Sequence, residues 1–173
     1  MPIWPREGIY QNWNSLSLLL HYPIQKKPSA DEYYFLTTKG FIYEVYFTDS
    51  SGYFPKETTN NSTVQIFGFY TYSKTKSFDP LVSNTIVKII SDYFEENPLA
   101  VLLFAYDQSE GKQVSRKRLF KRWYQAYAMS NFEKVELTID GVDYASAIFL
   151  HNHPQSTEII SLLKALVENV DGK

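Results

Sequence analysis

With no cysteine in 173 residues, the three histidines are the only imidazole or thiol donors this chain can offer a metal or a nucleophilic mechanism. Two of them, His151 and His153, lie one residue apart between the apolar run ending at Leu150 and Pro154. A His-x-His pair at a strand end turns both rings to the same side, which makes these two the candidate metal ligands. Two histidines before a helix are also a common structural feature, and His21 is the only other imidazole. The second candidate is a basic run, Lys112, Arg116, Lys117, Arg118, Lys121 and Arg122, interleaved with Phe120, Trp123, Tyr124 and Tyr127. Basic side chains displace counterions from phosphate and exposed rings stack on bases, so Lys117, Arg118, Lys121 and Arg122 are the candidate nucleic-acid contacts. At helical spacing, however, Phe120, Trp123 and Tyr127 fall on the buried side, and a solvated face is the commoner meaning of such a run. Third is Asp107 at the end of an apolar strand with Arg116 on the inward row of that helix, a spacing suited to a structural ion pair.

What is missing narrows the chemistry further. Glu95 with Glu96, and Glu133 with Glu136, fall at a helix end or along a strand without a partner for acid-base work. No nucleophile elbow, phosphate-binding glycine loop or dinucleotide fingerprint occurs, and only 7 glycines are available to build one, so no cofactor is expected. The formal net charge of -2 gives no global attraction to nucleic acid or to anionic lipid. Met1 to Tyr10 lacks the basic and apolar stretches of a secretory signal, which makes the cytoplasm the expected compartment. The apolar runs Leu18 to Leu20 and Leu99 to Ala105 fall well short of the roughly 20 residues that span a bilayer, so no membrane partner is expected.

The elements that would position these residues follow from periodicity. Residues 1–31 read as an N-terminal arm packed on one α+β domain over 32–170. Glu32 to Thr37 and Phe41 to Thr48 are rich in Tyr, Phe, Ile and Val around Thr38-Lys39-Gly40, which predicts a hairpin with Gly40 at positive φ. In its second strand Phe41, Tyr43, Val45 and Phe47 alternate with Ile42, Glu44, Tyr46 and Thr48, and the first set is assigned to the core. Asp49 to Thr63 is a long polar loop, and Val64 to Tyr72 a third strand with both faces partly covered. Asp79-Pro80 is an N-cap followed by proline at the first helical position, and Val82, Ile86, Ile89, Ile90 and Tyr93 keep helical spacing until Asn97-Pro98. Leu99 to Tyr106 has the composition of an interior strand. A second helix follows over about 113–129, then a hairpin around Asp140 to Asp143, then a last helix whose stripe is Ile159, Leu162, Leu163, Leu166 and Val170. The order βββ-α-β-α-ββ-α predicts a mostly antiparallel sheet with packed helices.

Two resemblances add to this reading. Tyr33 to Gly40 with Tyr43-Glu44-Val45-Tyr46-Phe47, taken with Asp79, Thr85-Ile86, Tyr106-Asp107, Gly111-Lys112-Gln113 and Arg116 to Trp123, resembles a bacterial family of small uncharacterised proteins over roughly residues 32–124. That resemblance implies a bacterial, cytosolic protein and brings no catalytic residues with it. The string His151-Asn152-His153-Pro154 with Ser161 is similar to the zinc signature of JAMM-type metallopeptidases, which implies a metal-dependent hydrolase. The position that supplies an Asp ligand in that signature is here Lys164, a cation that repels a metal.

Composition supplies the leading expectation. Aromatic residues make up 17% of the chain, and 14 of them are Tyr, whose ring and hydroxyl suit half-buried strands and interfaces. With excess Tyr and no complete catalytic set, the sequence reads foremost as a non-catalytic interaction module that contacts a protein partner or a second copy through a Tyr-rich sheet or the long loop. It requires an exposed aromatic patch.

Overall fold

The computed structural model describes residues 20–28, 30–53, 63–72, 79–105, 120–121, 124–125, 131–139 and 142–171. Seven strands form one sheet: β1 (Gln25–Lys26), β2 (Glu32–Leu36), β3 (Ile42–Asp49), β4 (Val64–Thr71), β5 (Val101–Ala105), β6 (Phe132–Ile139) and β7 (Val142–Leu150). Helix α1 (Pro80–Glu96) links β4 to β5, and α2 (Ser156–Asp171) follows β7. Spatial order is β1-β2-β3-β4-β5-β7-β6. Every neighbouring pair is antiparallel except β4 with β5, which run parallel because α1 returns the chain between them. The fold is α+β with a mostly antiparallel sheet, as the periodicity predicts.

Local chemistry accounts for the boundaries. Gly40 closes the β2–β3 turn at φ 79, its N–H donating to the Thr37 carbonyl at 2.9 Å. The Asp79 side chain accepts from the Leu81 N–H at 3.0 Å and Pro80 takes the first helical position, so an acceptor and a residue lacking a donor together settle the start of α1. At the other end the Asn97 backbone N–H and side-chain amide both donate to the Tyr93 carbonyl.

Two cores sandwich the sheet. On one side α1 packs Val82, Ile86, Ile89, Ile90, Tyr93 and Phe94 against Phe35, Val45, Phe47, Phe67, Leu102 and Ile148, a cluster that reaches from β2 across to β6. Tyr93 lies flat on Phe47 with ring centroids 4.0 Å apart, and burial pushes its phenol up to about 12. On the other side α2 sets Ile159 and Leu163 on Val64, Val101, Val135, Leu137, Ala147 and Phe149. β5 is apolar throughout because it feeds both cores: Leu102 and Phe104 join the first, Val101 and Leu103 the second.

The structure departs from the sequence expectation at the N-terminal side. The sheet begins at Gln25, not Glu32, because Gln25 and Lys26 pair with Tyr34 and Tyr33 as a short edge strand inside the segment assigned to the arm. Tyr22 is buried, stacks on Phe35 at 5.9 Å, and donates from its hydroxyl to Asp79 at 2.8 Å. Most of the arm, most of the Asp49 to Thr63 loop, and all of the middle helix except residues 120, 121, 124 and 125 lie outside the described residues.

Candidate interaction face

The alternation that sends Tyr33, Phe35, Tyr43, Val45, Phe47, Phe67 and Phe69 toward α1 sends their neighbours to the opposite side of β1–β4. The registers arrange those neighbours in rows. Gln25, Tyr34, Glu44 and Tyr70 form one row, Glu32, Tyr46 and Gly68 the next, and Leu36 pairs with Ile42 at the turn end. This is also the side that carries α2, whose described contacts reach only as far as Val64 at the start of β4. Large apolar surface is consequently left in solvent: Leu36 is 58% exposed, Ile42 49%, Tyr70 38% and Tyr72 76%. Tyr34 and Tyr46 are half-buried beside them. Scattered exposed apolar residues are ordinary, whereas a contiguous set on one sheet face marks a contact surface.

Close packing and hydrogen bonds hold the face in shape. A Cβ built on Gly68 would lie 2.3 Å from Cζ and Oη of Tyr46, so the missing side chain is what lets that ring lie across β4. The Tyr46 ring sits 6.1 Å from that of Tyr70, tilted by 53°, and Tyr72 stands perpendicular to Tyr70 at 5.2 Å. Glu44 is the polar centre: its Oε2 accepts from the Tyr70 hydroxyl at 2.7 Å and from Lys27 Nζ at 3.3 Å. Lys27 is held more closely by Glu32, at 2.6 Å. The Tyr70 hydroxyl bond is the largest influence holding the Glu44 carboxyl below its usual range, partly opposed by burial, and Lys27 adds to the lowering. The Tyr70 phenol is raised by its hydrogen bonds to Tyr72 and Glu44. The face presents aromatic surface edged with hydroxyls and a carboxylate, side chains of the kind found in contact surfaces.

The histidines occupy the corner between β7 and α2, and the structure gives them separate work. His151 is exposed, with Nδ1 3.1 Å from Glu133 Oε2. His153 is buried, and both of its nitrogens are used: Nδ1 accepts from the Gln155 N–H at 3.1 Å, and Nε2 lies 3.2 Å from the Leu99 carbonyl. That pairing requires the neutral ring with its proton on Nε2. Burial is the main cause of a lowered His153 pKa, opposed by the Leu99 bond and by Glu158. A metal at His153 would have to displace one of these bonds, and among the described residues no group of three or more His, Asp or Glu could hold one. Ser161 and Lys164, the other positions of the zinc signature, are exposed on α2.

Asp107, Arg116, Lys117, Arg118 and Arg122 lie outside the described residues, and Lys121 is exposed. Phe120, next to it, is core: it stacks on Phe104 at 4.6 Å. The Tyr124 hydroxyl donates to the Phe132 carbonyl at 2.8 Å, so this ring too is turned inward. The sequence reading did not single out Glu44, Lys27 or Gly68. Their signal was present as the outward half of an alternating strand, but only pairing brings residues 27, 44, 68 and 70 together.

No helix among the described residues is long and apolar enough to cross a membrane. No curated protein and no solved structure matches the chain. A family model matches residues 78–167, from just before the Asp79 cap to the last turns of α2, so the match begins after β1–β4 and includes the His151 to Pro154 corner that the residue-level resemblance left out. By that match, which covers more than half of its length, the chain belongs to a family of unknown function, DUF6169.

Proposed function

We propose that the chain is a non-catalytic protein-interaction module whose contact surface is the open face of β1–β4. One observation carries this reading: Leu36, Ile42, Tyr70 and Tyr72 are all exposed on the sheet side where β5, β7 and β6 are covered by α2. Tyr buries much area for little lost side-chain freedom and keeps a hydroxyl for the partner, which is why contact surfaces are rich in it. Its hydroxyls are already organised here by Glu44, so less ordering is needed on binding.

Site-specific photo-crosslinking in the expressing cell tests the proposal. A benzophenone side chain at position 72 or 42 is expected to give a discrete adduct, while the same group at Glu95, exposed at the end of α1, gives none. An adduct of twice the chain mass identifies the partner as a second copy. Absence of adducts at both face positions, or equal labelling at position 95, refutes the assignment.

A further inference from the structure

We propose that the open face receives an arginine side chain from its partner, with the guanidinium stacked on one ring of the Tyr70–Tyr72 corner and hydrogen-bonded to Glu44. The inference rests on the reading of β1–β4 as the contact surface and specifies what that surface recognises. Three observations lead to it. Glu44 sits in one row between Tyr34 and Tyr70, so an acid is framed by aromatic rings on the strands to either side. Tyr70 and Tyr72 meet at 90°, forming a corner whose π faces attract positive charge. Among the described residues the local charge is unbalanced, since two carboxylates, Glu32 and Glu44, share the ammonium of Lys27.

The imbalance indicates which group is missing. Lys27 lies closer to Glu32 than to Glu44, 2.6 Å against 3.3 Å, and it is itself 41% exposed, so that its hold on the less exposed Glu44 is weakened by solvent. A second cation can therefore take Glu44 without dismantling the face. Phosphate or carboxylate ligands would meet Glu32 and Glu44 as like charges. Between the two cationic side chains geometry favours arginine. An ammonium keeps its water on an open surface, whereas a planar, weakly hydrated guanidinium stacks on one ring while its edge donates to a carboxylate.

The experiment uses the whole chain and three capped heptapeptides that carry arginine, lysine or glutamate at alternate positions between alanines. Binding is followed at low ionic strength through the backbone amide signals of β3 and β4. The arginine peptide is expected to move the signals of Glu44, Tyr46 and Tyr70 and to bind about threefold to fivefold more tightly than the lysine peptide. The glutamate peptide, which also reports any contribution from Lys74 and Lys76 just after Tyr72, is expected not to bind. Glu44→Gln, which keeps an acceptor for Tyr70, is expected to weaken the arginine peptide by a similar factor, and Glu95→Gln to leave it unchanged. Equal affinity for arginine and lysine, binding of the glutamate peptide, or indifference to E44Q overturns the proposal. If the arginine peptide fails while crosslinks at positions 42 and 72 persist, the arginine inference falls and the interaction face stands; if the crosslinks fail as well, both fall.

Discussion

On the side of the sheet that carries α2, the strands divide into two regions of opposite character. β5, β7 and β6 bring small and medium residues, Val101, Ala145, Ala147, Val135 and Leu137 around Phe149, and α2 closes over them. β2, β3 and the far end of β4 bring Tyr34, Tyr46, Tyr70, Leu36 and Ile42, together with Glu32 and Glu44. Small side chains let a helix approach closely, whereas rows of tyrosine interleaved with acids hold a helix off and keep rings and a carboxylate at the surface. The α1 side shows no such division: its cluster runs from Phe35 on β2 to Phe132 on β6. Burial is concentrated in the continuous core and in the patch under α2, and the remaining face keeps Leu36, Ile42, Tyr70 and Tyr72 exposed.

That contrast can be tested by substitution, beginning in the covered region. Phe149 is fully buried under α2, and Phe149→Ala is expected to cost about 3–5 kcal/mol in urea unfolding. A loss below about 1 kcal/mol would mean that α2 is not a packed cover. His153→Ala, at the rim of the same region, is expected to cost about 1–3 kcal/mol by removing the ring that bonds the Leu99 carbonyl and the Gln155 N–H.

The same histidine fixes a pH dependence. Its folded pKa lies below the ordinary value of 6.5, so its contribution is complete above pH 6.5 and is lost as the pH falls through the folded pKa, because the unfolded chain takes up the proton first. Unfolding midpoints measured between pH 7.5 and 5 should decline in the parent chain and decline less in H153Q; parallel curves would remove His153 as the cause. Gly68→Ala is expected to cost about 1 kcal/mol or less, since the clash is with the tip of a half-buried Tyr46 that can swing outward, yet it should alter binding to the face. Smallest of all, Tyr72→Ser and Ile42→Ser are expected to leave stability within about 0.5 kcal/mol while abolishing the crosslinked adduct. A large loss of stability in either would show that these side chains belong to a covered core.

Much of this division is legible one strand at a time. The alternation of Phe41, Tyr43, Val45 and Phe47 with Ile42, Glu44, Tyr46 and Thr48 puts Val45 and Phe47 in the core and Tyr43 half-buried against it, while Phe41, half-buried, precedes β3; Asp79-Pro80 with Asn97-Pro98 brackets α1. β1 escapes because two residues cannot display a period, and only its pairing to Tyr33 and Tyr34 defines it. Which strands α2 covers is likewise invisible locally, since it depends on β7 being inserted between β5 and β6. Excess tyrosine suggests a contact surface, but the Glu44 site has no linear motif: Glu44 and Tyr70 come from β3 and β4, and Lys27 from just past the end of β1. The His151-His153 pair shows the converse, a linear motif whose geometry serves the chain turn.

The single parallel joint in the sheet also bears on how the molecule comes apart. β2–β3 and β6–β7 are chain neighbours whose ladders close over short loops, whereas β4 meets β5 through three residue pairs, Val64 to Ile66 with Val101 to Leu103, after the whole of α1 has been placed. That seam joins two units of the sheet, the strands that precede α1 and the strands that follow it. Amide hydrogens along it should exchange only when the two units part, so their exchange rates measure the cooperativity of the whole fold, while those of the outer strands report on each unit separately.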